Sequence, residues 1–86
     1  MEADKERLIA KSSDLAPVMW IGKAGLTESV LKELDKQLKK KKLMKVKILK
    51  GALENKDKKE FAKEIAEKTK SMLVNQIGFV AVLYRE

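Results

Sequence analysis

Between Leu43 and Lys50 apolar and cationic residues alternate. Met44, Val46 and Ile48 fall on one side of an extended chain, Lys45 and Lys47 on the other. A period of two marks a strand buried on one face, with its second face wet or turned to a ligand. Upstream, Val30, Leu31, Leu34 and Leu38 recur at helical spacing. Thr27 stands where the N-cap of that helix belongs, with Glu28 in the first turn. The helix runs into Lys39-Lys40-Lys41-Lys42, where cations suit the negative end of its dipole. Residues 4–15 read as an earlier helix, with Asp4 as N-cap, Leu8, Ser12 and Leu15 on one side and Ile9 beside them. Pro17 turns the chain out of it. Pro17–Ile21 is then a strand with Val18 and Trp20 on one face and Met19 and Ile21 on the other, and Gly22–Leu26 is a loop.

The second half reads in the same way. Gly51–Lys56 is expected as a loop, and Asp57 with Glu60 resembles a capping box. The helix it opens turns Phe61, Ala62, Ile65, Ala66 and Thr69 inward. Met72–Ile77 and Phe79–Arg85 flank Gly78 as an antiparallel hairpin. The order α-β-α-β-α-β-β predicts one α/β domain over residues 1–86. Its four-stranded mixed sheet carries packed helices, with the first two strands parallel.

Composition narrows the chemistry. The 86 residues contain no cysteine and no histidine, which removes the common zinc ligands and the common general base. Glu60, Glu64 and Glu67 share a helix flank with Lys63, Lys68 and Lys70, so surface ion pairing accounts for them. A protein that is no enzyme, with no cofactor and no metal, is expected. No apolar run is long enough for a membrane span, and the charged start Met1–Arg7 lacks the apolar core of a secretion signal. A cytoplasmic monomer with no membrane partner is expected.

The charge is concentrated. Ten lysines lie between Lys23 and Lys50 against only Glu28, Glu33 and Asp35, an excess of seven that equals the whole net charge of +7. A patch of this kind attracts a polyanion, nucleic acid before an anionic membrane. Only Arg7 and Arg85 are arginine. Lysine meets phosphates as a point charge, whereas arginine is the better reader of base edges, so backbone-directed binding is favoured.

Gly22-Lys23-Ala24-Gly25 precedes the Thr27 helix. Two glycines let a backbone press close to a bulky ligand, and a helix N-terminus suits an anion. The same spacing also reads as a tight turn that needs glycine. The adjoining charge turns the reading toward a sugar-phosphate chain, clamped by Lys23 and followed by Lys39, Lys40, Lys41, Lys42, Lys45 and Lys47. The motif is neither a nucleotide P-loop nor a dinucleotide fingerprint. Trp20 reads first as a packing residue and second as a stacking platform for a base beside the loop.

Three separated strings resemble the CRM (chloroplast RNA splicing and ribosome maturation) domain, also called the YhbY family. They are Pro17-Val18-Met19-Trp20-Ile21-Gly22-Lys23-Ala24-Gly25-Leu26-Thr27, Leu43–Leu49, and Ile77-Gly78-Phe79-Val80-Ala81-Val82-Leu83-Tyr84-Arg85. The resemblance implies a fold similar to the C-terminal domain of translation initiation factor 3. It implies RNA binding through a loop like that of KH domains, here Gly22, Lys23, Ala24 and Gly25. It also implies association with precursor ribosomal RNA of the large subunit, as an assembly factor. Lys41-Lys42 stands where the family usually has His-Glu, which makes this patch more basic. An RNA-splicing or RNA-chaperone factor, a permanent ribosomal protein and a protein-binding adaptor are the alternatives.

Overall fold

A computed structural model describes residues 2–86. The elements are α1 (Glu2–Ser12), β1 (Met19–Ile21), α2 (Glu28–Lys41), β2 (Leu43–Ile48), α3 (Lys50–Leu53), α4 (Lys58–Lys68), β3 (Met72–Ile77) and β4 (Val80–Tyr84). One four-stranded sheet has the order β1-β2-β4-β3. β1 runs parallel to β2, and the other two pairings are antiparallel. The mixed sheet expected from the element order is therefore present.

Alternation along the strands sorts the side chains onto two faces. On the inner face Ile21, Met44, Val46, Ile48, Ala81 and Leu83 are buried against Leu34 and Leu38 of α2 and Phe61, Ala62, Ile65 and Ala66 of α4. These are the apolar stripes read from the periodicity. On the outer face α1 crosses β2, β4 and β3. Val74 and Val82 are buried there, apart from the main core, and so is Ser12, whose Oγ donates to the Ile9 carbonyl at 2.7 Å. Helices thus cover both faces, but α1 covers only part of the outer one.

Local chemistry fixes the ends of α2. The Thr27 Oγ1 accepts from the Val30 amide at 3.2 Å. At the other end Lys42 closes the helix with its amide on the Leu38 carbonyl at 2.8 Å and a φ of 65°. Arg85 locks the far end of the sheet to the helices. Its guanidinium pairs with Asp35 Oδ1 at 2.7 Å and donates to the Thr69 and Asp35 carbonyls at 2.8 and 3.0 Å.

Three sequence expectations need correction. α1 already runs from Glu2, so Asp4 lies inside it rather than at its cap. Asp57 is the N-cap residue of α4, but its exposed side chain makes no capping hydrogen bond, so the expected capping box is not formed. The stretch read as a loop from Gly51 begins instead with the single helical turn α3. Gly51 packs beside Lys23 there, and a Cβ built on it would make an ordinary 3.7 Å contact with Lys23 Cβ.

Candidate nucleic-acid interface

The parallel register places the end of β1 beside the end of β2, with Ile21 opposite Ile48. The chain leaves β1 directly into Gly22–Gly25. There the Gly25 amide donates to the Gly22 carbonyl at 2.9 Å, closing a tight turn. Gly25 has a φ of 74°, which disfavours any side chain at that position, whereas Lys23 and Ala24 keep ordinary negative φ. Gly22 is not in the left-handed region, and a Cβ there would make only an ordinary 3.7 Å contact with Leu49. The fold therefore requires glycine at 25 and does not require it at 22. Lys23 and Ala24 are exposed at the tip, and no acceptor among the described residues reaches their amides.

Several cations gather at this end of the sheet. Lys47 lies on the outer face of β2, in register with Trp20. Lys50 starts α3, whose next residue, Gly51, packs on the Lys23 backbone. The β3–β4 hairpin tip lies at the same end, since the Ile48 amide donates to the Phe79 carbonyl at 2.7 Å. Lys58 Nζ sits 4.9 Å from the centre of the Phe79 ring. A shallow hollow of about 200 Å³ under the turn is lined by Lys23, Ala24, Gly25, Phe61 and Glu64. Glu64 binds Lys56 at 3.0 Å and Lys68 at 3.2 Å, and these two bonds hold its carboxyl below the usual glutamate range.

The structure does not gather all the expected residues in one place. Trp20, Gly22, Lys23, Ala24, Gly25, Thr27 and Lys47 lie around the turn. Lys39, Lys40, Lys41 and Lys42 lie at the opposite end of α2, whose 14 residues span about 21 Å at the α-helical rise. Lys45 and Lys47 on β2 are the connection between the two ends, with Lys45 half-buried and Lys47 exposed. Among the described residues none of the ten lysines from 23 to 50 forms an ion pair, while Asp35 is taken by Arg85. The positive field of this segment is uncompensated. Lys50 joins the site only through the packing of α3 on the turn, which the lysine excess in the sequence does not by itself reveal.

Trp20 is 57% exposed on the outer face, so it is a surface residue rather than part of the core. Arg85, by contrast, is committed to holding the fold.

Comparison with known proteins agrees with this architecture. Over 81 residues, or 94% of this chain, it is 44% identical to a probable RNA-binding protein of Methanocaldococcus jannaschii. The match spans only 60% of that relative's length. It is 33% identical over 82 residues to the probable RNA-binding protein YqeI of Bacillus subtilis, covering 95% of this chain and 83% of the relative. The solution structure of a Staphylococcus aureus protein proposed to bind RNA superposes with a TM-score of 0.81 at 35% identity, covering all of this chain and 88% of the other. Residues 1–85 match the model of the CRS1 / YhbY (CRM) domain. With a turn, sheet order and relatives of this kind, the chain belongs to the CRS1/YhbY (CRM) domain family.

Proposed function

We propose that this protein binds RNA at the loop end of its sheet and acts in assembly of the large ribosomal subunit. The observation that carries the reading is that Lys23, Lys47 and Lys50, none in an ion pair among the described residues, stand at the end of the sheet that holds a turn whose tip amides meet no acceptor. A phosphate is met by the amides of Lys23 and Ala24 and by the positive end of α2 behind them. The Lys23 side chain closes over it. Lys47 and Lys45 lead the ribose-phosphate chain along β2 toward Lys39–Lys42. Release of counterions supplies most of the affinity, so binding weakens steeply with salt. The names of the relatives support RNA as the partner class, and the ribosomal role rests on what the resemblance of the three strings to the CRM domain implies.

Crosslinking in cells followed by sequencing of the bound RNA tests the proposal. Enrichment of precursor large-subunit RNA is expected, with sedimentation alongside immature particles. Crosslinks confined to introns, or sedimentation with mature subunits alone, would contradict the assembly role.

A further inference from the structure

The strand register places Trp20, Lys47, Val80 and Ile77 directly opposite one another across all four strands. All four point to the outer face. This is the row farthest from α1, which covers the Leu43–Tyr84 end of the sheet. Trp20 is 57% and Ile77 65% exposed, and Val80 is half-buried between them. The row crosses three interstrand steps, a width of about 14 Å. Single exposed apolar side chains are ordinary. A tryptophan and an isoleucine ending one continuous row, with a cation between them and the glycine turn beginning two residues beyond Trp20, form a surface with a direction.

We propose that this row is a platform for unpaired bases, and that the RNA bound here is single-stranded at the point of contact. The inference rests on the RNA-binding reading and adds to it which form of RNA is held. Charge selects the occupant, because Lys47 lies within the row, exposed Lys23 is at the tip of the adjoining turn and exposed Lys50 stands beside it. A nucleotide has the matching parts: a flat apolar base for the indole and a phosphate for the turn. In a duplex the base faces are hidden in the stack, so only an unpaired base can lie on Trp20. The strand holds the indole's backbone rigidly, which reduces the ordering cost of binding.

Trp20 is the sole tryptophan, so its emission reports directly on the platform. The test titrates the protein with a short oligouridylate and with a blunt RNA duplex of equal length, following tryptophan emission and the anisotropy of labelled RNA. The single strand should quench the emission and the duplex should not. Trp20→Ala should weaken single-strand binding on the order of 5- to 100-fold and leave duplex binding unchanged. Trp20→Phe should recover most of the loss, and Trp20→Leu, which keeps the apolar area without the ring system, should not. Salt-dependent single-strand binding with unaltered emission and an unaffected Trp20→Ala variant would overturn the platform alone and assign the row to a protein partner. Absence of binding to either RNA would overturn the RNA reading and the platform together.

Discussion

Replacing Ala24 by aspartate places a negative charge where the phosphate is expected. Ala24 is exposed at the tip of the turn and has an ordinary negative φ, so any side chain fits there without strain. A surface change of this kind alters stability by no more than about 0.5 kcal/mol. Gly25 is the wrong place for the same test. At a φ of 74° a side chain there costs about 1–2 kcal/mol of backbone strain, and a loss of binding would be confounded with unfolding. The binding penalty at position 24 follows from Coulomb's law. Two unit charges about 4 Å apart repel by about 1 kcal/mol in bulk water and about 4 kcal/mol at a protein surface. Ala24→Asp should therefore weaken RNA binding by roughly five- to several-hundred-fold at low salt, with the gap narrowing as salt rises. Anisotropy titrations at several salt concentrations measure it, alongside a thermal melt. An affinity within about twofold of wild type, with an unchanged melt, would remove the turn from the binding site.

The other predictions concern the fold and its surroundings. Arg85→Ala removes three short contacts of a largely buried guanidinium and should cost about 2 kcal/mol, lowering Tm by about 10 °C. The folded fraction should keep the wild-type salt slope. Lys42→Gly relieves a φ of 65° and should stabilise the protein by about 0.5–1 kcal/mol in denaturant unfolding. If Lys42 meets a phosphate, the same change lowers the salt-slope magnitude by about 0.7. The Glu64 carboxyl is held below its unfolded value by Lys56 and Lys68, so its contribution to stability is complete at neutral pH and is lost as pH falls through that lowered value. In melts across pH, Glu64→Gln should melt below wild type at neutral pH, and the gap should close under acid, below about pH 4. A constant gap would show that the carboxylate charge is not what stabilises the helix.

Much of this architecture was legible because short-range patterns carry it. The alternation of Met44, Val46 and Ile48 with Lys45 and Lys47 specified both faces of β2, and the glycine turn marked the end of β1, which starts at Met19 rather than at Pro17. The single turn α3 was not legible, because four residues are too few to show a helical period and Gly51 signals a bend. Alternation set Trp20 on the face opposite Ile21, but the reading of Trp20 as a packing residue fails, because that face is open at this end of the sheet. Alternation could not tell that α1 stops short of that row, since coverage depends on where a distant helix docks. The separation of Lys39–Lys42 from the glycine turn was implicit in the length of α2. Because the lysine run adjoins β2 in sequence, the two features read as neighbours, although they stand at opposite ends of the sheet.

The proposed hold on phosphate at the loop end of the sheet depends on Lys23, Lys47 and Lys50 together. The slope of log affinity against log salt for single-stranded RNA, compared between wild type and the variant with all three lysines changed to alanine, tests it most directly. In that variant the slope should be smaller in magnitude by about 2, at about 0.7 per lost phosphate contact. Equal slopes in the two proteins, with both folded, would contradict it.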